Sequence, residues 1–538
     1  MSIQQITPKQ RGYLIVNSHP AGSEATVDRQ WQRIEPATPA DRAPVALVLG
    51  ASAGYGQALL LAGLRRQGIR GIGVGYEADA TERRTATAGW YRTAATSALV
   101  ERSGGDFTFV NADAYADATR AEVLKLLAER YGPVDYLVYS LASPRRTDPA
   151  TGEVHHSVIK PLGVPYTSPS LLFDGGAPQI GTVDLTPADE AERAATVKVM
   201  GGEDWRLWVR ALADEDLLAP GFTTVALSYV GSEITAPVYR QGTIGAAKEH
   251  LEATARQLQT ELLADRGRAF TVVAGAAVTQ ASTAIPSIAL YTSLLRIALG
   301  EDGWRTTDEQ AVDLWEQLTG AKELTLDEQG RIRLDGWELD PAVQDRVREL
   351  WADPAGALAA ESAGAAWFYN QFRQLYGWDV PGVDYTAGVE TSVPWPGQRQ
   401  RGRARPWCGG RPRGGAGGAD RRTPPVSPPR LRTAAAGCER APAAARRGRP
   451  AGPRPARTPA ARAWWWRTGS RRRRAGPAVP VRWRGRRRPG RPGRRGWPAP
   501  AAARSRPGGG SPRGCRASGR ARTSAASPGP GRGPRSVR

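Results

Sequence analysis

The chain has 538 residues and a formal net charge of +22, which alone would favour a polyanionic partner. The charge is uneven, because residues 397–538 hold 39 arginines and two acidic residues, and the preceding body carries a net charge of −15. All three cysteines follow residue 396, which excludes disulfides and thiolate chemistry from the body. With no metal-ligand histidine spacing, no long apolar run and no signal peptide, we expect a cytoplasmic protein without a metal site or membrane span.

The first strong strand pattern is VALVLG at 45–50, and it leads directly into GASAGYG at 50–56 and then a helical stretch. Glycines spaced in this way allow a tight turn, let the backbone approach a pyrophosphate, and let the helix pack closely on the strand. We therefore predict a dinucleotide-binding turn here. A plain strand–helix turn is the alternative.

The second strand pattern, GIGVGYE at 71–77, ends on an acid. Glu77 lies 27 residues past Gly50, where a carboxylate can accept a hydrogen bond from a ribose 2′-hydroxyl and repel a 2′-phosphate. This position favours NADH over NADPH. Arg83 and Arg84 follow closely and could neutralise a phosphate, so NADPH stays open at this point.

Two further strand patterns, FTFVNADAY at 107–115 and VDYLVYSLAS at 134–143, also end in candidate ligand positions. Asp113 follows the third strand, where an acid can meet an adenine edge. Leu141 and Ala142 follow the fourth, near a cofactor ribose. The alternative for each is a loop residue that caps a helix.

Strand patterns at 222–231 and 270–278 complete an alternation of apolar strands with amphipathic helices. This alternation predicts an α/β fold: a Rossmann-like, doubly wound parallel sheet with helices on both faces. We expect residues 1–396 to form a single domain. Ligands should bind at the carboxyl ends of its strands.

A tyrosine and a lysine nine positions apart, Tyr239 and Lys248, lie in SYVGSEITAPVYRQGTIGAAK at 228–248. Nine residues of one helix turn through about 900°, which would put the two side chains on opposite sides. A proline and two glycines disfavour helix before the lysine, and Thr243 is placed to cap a helix that starts there. We therefore predict Tyr239 on the entering loop or first turn and Lys248 one to two turns inside, both facing the cofactor. A packed tyrosine and a surface lysine are the alternative.

Residues 397–538 are nearly all Arg, Pro, Gly, Ala and Ser, with tryptophan as the only frequent large apolar residue. Such a segment buries too little apolar surface to offset its chain entropy, so we expect disorder. A basic arm for nucleic acid is one interpretation. Out-of-frame translation of GC-rich coding DNA is the other, and the abrupt change in composition favours it.

Seven ordered blocks carry a resemblance to a known family. Together they resemble the FabV-type trans-2-enoyl-CoA/enoyl-[acyl-carrier-protein] reductases, enlarged relatives of the short-chain dehydrogenase/reductases marked by a Tyr-x8-Lys motif. The resemblance runs from about Arg11 to Tyr385, and the tail has no counterpart in the family. The blocks are GASAGYG, TATAGWY (85–91), YSLASPRRTDPATGE (139–153), TVKVMGGEDW (196–205), SYVGSEITAPVYRQGTIGAAK, AVTQAS (277–282) and WDVPGVDY (378–385).

The resemblance implies roles for particular residues. Tyr239 is similar to the catalytic tyrosine of the family, Lys248 to its cofactor-binding lysine, and Tyr229 to a tyrosine that contacts substrate. The remaining implied NADH contacts are Gly50, Ala51, Ser52, Ala53, Gly54, Tyr55, Tyr76, Glu77, Asp113, Ala114, Leu141, Ala142, Ala277, Val278 and Thr279.

The resemblance also implies a reaction, the NADH-dependent reduction of the C2=C3 bond of trans-2-enoyl thioesters in fatty acid synthesis. The substrate would be carried by acyl carrier protein or CoA, and the enzyme would be a monomer. A phenol hydrogen bond from Tyr239 would stabilise the enolate, and Lys248 would hold the cofactor ribose and lower the phenol pKa. The alternatives are a carbonyl or ketoacyl reductase of the same fold, and nucleic-acid binding through the tail.

Overall fold

The computed structural model describes residues 3–38, 42–174, 177–285 and 287–396. The predictions for residues 397–538 lie outside the described residues. The strands are β1 (Ile3–Gln4), β2 (Gln10–Arg11), β3 (Leu14–Ile15), β4 (Val45–Leu49), β5 (Arg70–Gly75), β6 (Phe107–Asn111), β7 (Val134–Tyr139), β8 (Arg145–Thr147), β9 (Val154–His156), β10 (Tyr166–Asp174), β11 (Ala177–Leu185), β12 (Leu218–Ser228), β13 (Gly267–Val273), β14 (Ile332–Arg333) and β15 (Val389–Glu390). The helices are α1 (Pro20–Arg33), α2 (Gly54–Ala62), α3 (Ala88–Arg102), α4 (Asp117–Leu126), α5 (Glu190–Met200), α6 (Glu203–Asp214), α7 (Thr243–Gln257), α8 (Ile288–Gly303), α9 (Thr307–Thr319), α10 (Pro341–Ala352), α11 (Pro354–Ala360) and α12 (Ala363–Gln374).

Seven parallel strands form the central sheet, in the order β14-β13-β12-β7-β4-β5-β6. The strand order reverses beside β4, because the chain runs outward through β5 and β6 and then returns to β7 on the other side of β4. A crevice opens between the carboxyl ends of β4 and β7 at such a reversal, and ligands of doubly wound sheets bind there.

Apolar cores cover both faces of this sheet, and β4 contributes to both. Val48 packs into the core that holds Leu60 of α2 and Trp315 of α9. Leu47 faces the opposite core, which holds Trp208 of α6. Because neighbouring side chains of a strand point to opposite faces, the continuous apolar run VALVL is buried on both sides. The predicted Rossmann-like α/β fold, doubly wound with helices on both faces, is confirmed.

A further core lies around α8, which packs against α10, α11 and α12 and against β10. Leu290 and Leu294 of α8 meet Phe368 and Phe372 of α12 in it, together with Phe173 from the antiparallel hairpin of β10 and β11. These elements extend the sheet domain beyond the strand–helix alternation seen in the sequence. In the part of the chain that the structure describes, no helix is long and apolar enough to cross a membrane.

The last described residues pack against the edge of the sheet. β15 pairs with β1, and Trp395 is only 4% exposed. The indole N–H of Trp395 donates a hydrogen bond to the Phe109 carbonyl at 3.0 Å, and its ring centroid lies 4.9 Å from that of Trp90. The chain is therefore still part of the folded body at residue 395.

Candidate active site at the carboxyl ends of the strands

The turn between β4 and α2 depends on its glycines. Gly50 has a φ of +86°, and a Cβ there would lie 2.3 Å from the Ser140 carbonyl oxygen at the end of β7. A Cβ on Gly56 would lie 2.1 Å from the Gly50 carbonyl oxygen. The turn thus closes tightly in the crevice beside β4, as the glycine spacing predicted.

The N-terminus of α2 is open to a ligand. Its N-cap residue, Ala53, has no side chain that can accept a hydrogen bond from the first turn. The backbone N–H groups there, with the positive end of the helix dipole, form a site suited to the phosphates of a dinucleotide.

A cavity of about 660 Å³ surrounds this turn and collects the predicted residues. Its size is within the range of cofactor and ligand pockets. Of the candidate site residues it is lined by Gly50, Ser52, Ala53, Gly54, Tyr55, Tyr76, Glu77, Asp113, Ala114, Leu141, Ala142, Tyr229, Tyr239, Lys248, Ala277 and Thr279. Two candidates fall outside this lining: Ala51 is buried in the core beneath the turn, and Val278 packs towards the core around α8.

Glu77 is held at the start of α3. Its carboxylate accepts hydrogen bonds from Ser52 Oγ at 2.6 Å and from the Thr87 hydroxyl. A Cβ on Gly89 would lie 2.0 Å from Glu77 Oε1, so only glycine lets the carboxylate approach the helix this closely. Burial raises the Glu77 pKa, and the two hydroxyl hydrogen bonds oppose that rise.

Tyr239 and Lys248 lie as the sequence predicted, on the turn before α7 and inside its second turn. The Tyr239 carbonyl accepts hydrogen bonds from the N–H groups of Gly242 and Gly245, which folds the turn onto the helix. A Cβ on Gly245 would lie 1.8 Å from the Arg240 carbonyl oxygen, so this fold requires glycine. Both side chains line the cavity.

The predicted cap of α7 was wrong. Gly242 is the N-cap residue, and Thr243 is the first helical residue. The Thr243 hydroxyl donates to the Val158 carbonyl at 2.5 Å and accepts from the Lys160 N–H, so it ties the helix to a neighbouring segment instead of capping it. Such long-range partners cannot be read from the local sequence.

Burial shifts the pKa values of the two key side chains in opposite directions. Lys248 Nζ donates to the Leu227 carbonyl at 2.9 Å, and burial lowers its pKa to about 8. Burial raises the pKa of Tyr239, so its phenol keeps its proton. The cation that opposes this rise is Arg240, and the lowering of the phenol pKa by Lys248 stays a prediction.

Several residues missed by the sequence analysis support the cavity. The Tyr55 hydroxyl donates to the Gly275 carbonyl at 2.6 Å, and the Gly275 N–H donates to Gln310 Oε1 at 2.8 Å. Tyr229 donates to Glu338 at 2.6 Å. Gln310 and Glu338 lie on α9 and just before α10, and no local pattern marked them because their contacts span 35 to 109 residues of sequence.

Three family models match nearly all of the described chain. They are the NAD(P)H binding domain of trans-2-enoyl-CoA reductase over residues 5–82, the trans-2-enoyl-CoA reductase catalytic region over 84–319, and the enoyl reductase FAD binding domain over 326–389.

Bacterial reductases match this chain over nearly their whole length. The chain is 55% identical to an enoyl-[acyl-carrier-protein] reductase [NADH] of Streptomyces avermitilis, over 72% of this chain and 99% of the relative. It is 39% identical to a trans-2-enoyl-CoA reductase [NADH] of Clostridium perfringens, with the same coverage of each. The crystal structure of Treponema denticola trans-2-enoyl-CoA reductase in complex with NAD matches with a TM-score of 0.66 and 36% identity, over 72% of this chain and 98% of that one.

The segment matched by the FAD-binding model does not fit a flavin dinucleotide. The first turns of α10 and α11 are capped by the carboxylates of Asp340 and Asp353, which would repel a pyrophosphate. The first turn of α12 packs on α8, where a Cβ on Gly364 would lie 2.5 Å from the Ser293 carbonyl oxygen. None of the residues found to line the cavity comes from this segment.

The resemblance inferred from the seven sequence blocks is confirmed by these matches. They cover the same part of the chain, with 55% identity to one named reductase and 36% to the solved one. The chain belongs to the trans-2-enoyl-CoA reductase family.

Proposed function

We propose that the chain reduces the C2=C3 double bond of trans-2-enoyl thioesters with NADH and yields saturated acyl thioesters for fatty acid synthesis. The observation that carries this proposal is that the Tyr239 phenol and Lys248 Nζ line one cavity with the glycine turn at residue 50. The acyl group would be carried by acyl carrier protein or CoA, as the names of the relatives state for those proteins.

The residues present fit NADH. The uncapped start of α2 would hold the pyrophosphate, and Asp113 would lie at the adenine end. The Glu77 carboxylate would accept from the ribose 2′-hydroxyl, where a 2′-phosphate would meet its charge. When bound, NADH supplies the hydride that the enoyl group receives at C3.

Tyr239 would act as the hydrogen-bond donor at the thioester oxygen. Negative charge grows on that oxygen during reduction, and a protonated phenol in a cavity sheltered from water stabilises it. Its raised pKa keeps the donor form at neutral pH. Protonation at C2 then completes the saturated product.

Lys248 would hold the nicotinamide ribose from the second turn of α7. Its ammonium group is anchored by the Leu227 carbonyl at the end of β12, so two of its three hydrogens remain to donate to ribose hydroxyls. Tyr229 would contact the substrate beside Tyr239. The apolar side of the cavity, formed by Met200, Ile244, Ile285 and Ile288, would receive the acyl chain.

The catalytic unit would be residues 1–396, as a cytoplasmic monomer. The packing of Trp395 on Trp90 supports a folded boundary just beyond that tryptophan. Light scattering of the purified chain tests the monomer, and cell fractionation tests the compartment. Sequencing the coding DNA around codon 397 tests whether the tail is an out-of-frame product.

The test of this function is an assay of the full chain with crotonyl-CoA and NADH, followed by the loss of NADH absorbance. We expect turnover with the enoyl thioester, and much slower turnover with NADPH. Activity on a 3-ketoacyl thioester with none on crotonyl-CoA would contradict the proposal in favour of a ketoacyl reductase.

A further inference from the structure

A buried carboxylate lies behind the tyrosines of the cavity. Glu338 is 0% exposed, and the ion pairs found among the described residues do not include it. Its Oε1 accepts from the Tyr229 hydroxyl at 2.6 Å and the Tyr291 hydroxyl at 2.8 Å, and its Oε2 accepts from the Ala276 N–H at 2.6 Å. Burying a carboxylate without a cation is costly, so these three donors are what stabilise it.

These contacts fix the direction of the Tyr229 hydroxyl. A phenol has a single hydrogen, and Tyr229 donates it to Glu338 Oε1, so the Tyr229 oxygen offers only lone pairs to the cavity. Tyr229 packs edge-on against Tyr239, with ring centroids 5.0 Å apart. The Tyr239 hydroxyl forms none of the hydrogen bonds found among the described residues, which leaves its hydrogen for the substrate. The two tyrosines therefore face the cavity as an acceptor and a donor.

Further residues hold Glu338 in place. Gln344 of α10 donates to the Glu338 carbonyl at 2.7 Å and to the Tyr291 hydroxyl at 3.1 Å. Ser232 in turn donates to Gln344 Oε1 at 2.6 Å. These hydrogen bonds suit a carboxylate that must keep one geometry.

We propose that Glu338 is a positioning residue of the reductase, which acts by holding the Tyr229 hydroxyl so that Tyr239 alone donates to the reacting thioester. The proposal rests on the proposed enoyl reductase function. Glu338 would affect how the substrate is bound, although Glu338 is not among the residues found to line the cavity.

The variant Glu338→Gln keeps the size of the side chain but replaces one accepting carboxylate oxygen with an NH₂ group that donates. If the amide oxygen accepts from Ala276, the amide NH₂ faces Tyr229 and turns its hydrogen into the cavity. We expect kcat/KM for crotonyl-CoA to fall roughly 10- to 100-fold, the size of one charge-assisted hydrogen bond, while NADH affinity changes little. Asp308→Asn is the matched control, because Asp308 is nearly as buried but pairs with Arg33 of α1.

The test is a double-mutant cycle with Tyr229→Phe. If Glu338 acts through Tyr229, Glu338→Gln has little further effect on kcat/KM in the Tyr229→Phe background. Independent, multiplying losses would overturn the proposal, as would wild-type kinetics in Glu338→Gln. A wild-type chain with no enoyl reduction would instead refute the proposed function itself, so the two failures are distinguishable.

A pH profile tests the same idea without replacing Glu338. Burial raises the Glu338 pKa to about 7, and the protonated acid carries an O–H of its own that competes with the Tyr229 hydrogen, so kcat/KM should rise as pH increases through about 7. The Tyr291 hydrogen bond opposes this rise in pKa, so Tyr291→Phe should move the acidic limb of the kcat/KM profile to higher pH. An unmoved limb would overturn the proposal. The titratable groups that face Glu338 are Tyr229, Tyr239, Tyr291, Tyr55 and Asp335.

Discussion

In the proposed mechanism, Tyr239 is a protonated hydrogen-bond donor and Lys248 is a buried cation. Burial acts on both, raising the pKa of the phenol and lowering that of the ammonium, because it disfavours the charged form of each. The phenol is thus kept neutral at neutral pH. The pKa of the ammonium is brought close to neutral pH, so its charge changes over a pH range just above neutrality.

The pH dependence of Lys248 is the first prediction. Its lowered pKa of about 8 means that the cation is lost as pH rises through 8, so kcat/KM should fall on the alkaline side with an apparent pKa near 8. Lys248→Ala should weaken NADH use and lack that limb. Normal NADH kinetics in Lys248→Ala would refute its role. Steady-state kinetics across pH check both.

Cofactor preference at Glu77 is the second prediction. Glu77→Gln removes the charge but keeps the side chain near Ser52 and Thr87. We expect the preference for NADH over NADPH, as a ratio of kcat/KM values, to shrink roughly 10- to 100-fold because the 2′-phosphate no longer meets a carboxylate. Lys322→Gln, which removes a charge of a half-exposed pair elsewhere, is the control. An unchanged ratio in Glu77→Gln would exclude this acid from cofactor choice.

At the scale of elements, the site is assembled where β4, β5, β6, β7, β12 and β13 end. The six strands predicted from apolar runs are all present, because a parallel strand buried on both faces needs a continuous apolar sequence. The glycine turn was equally readable, since its backbone admits no side chain at Gly50 or Gly56. Glu338 and Gln310 could not be identified from the sequence, because a single acid or amide acquires its role only from partners far along the chain. The hairpin of β10 and β11 was missed because it lies outside the strand–helix alternation.

The glycine turn gives the third prediction, at this scale. Gly56→Ala places a Cβ 2.1 Å from the Gly50 carbonyl oxygen, so α2 must shift away from β4. We expect loss of NADH binding and a destabilisation of about 1–3 kcal/mol. Gly336→Ala is the matched control, because a Cβ there meets nothing within 4 Å. NADH titration and thermal unfolding measure both effects, and a Gly56→Ala chain that binds NADH normally would contradict the close-packed turn.

For the whole molecule, the acidic body and the basic tail call for separate explanations. The family matches end at residue 389, and the described chain is packed as far as Trp395. The net charge of +22 therefore says little about the catalytic body, whose own charge is negative. The composition of the tail predicted this division, whereas the packing of Trp395 on the sheet edge required the structure.

Truncation at two neighbouring positions is the fourth prediction. Ending the chain after residue 396 should leave kcat/KM for crotonyl-CoA within about 2-fold of the full chain, since no residue beyond 396 belongs to the proposed site. Ending it after residue 394 should cost about 3–5 kcal/mol of stability, because it removes the buried Trp395. Equal stability of the two truncations would contradict the boundary. Inactivity of the longer one would show that the tail takes part.

The most direct measurement of the central claim is the turnover of Tyr239→Phe with crotonyl-CoA, beside its affinity for NADH. The substitution removes one hydroxyl from the cavity and leaves the ring packed against Tyr229. We predict that kcat falls at least about 100-fold while NADH binds as tightly as before, because the lost hydrogen bond forms mainly as charge develops on the thioester oxygen. Unchanged turnover would contradict the account.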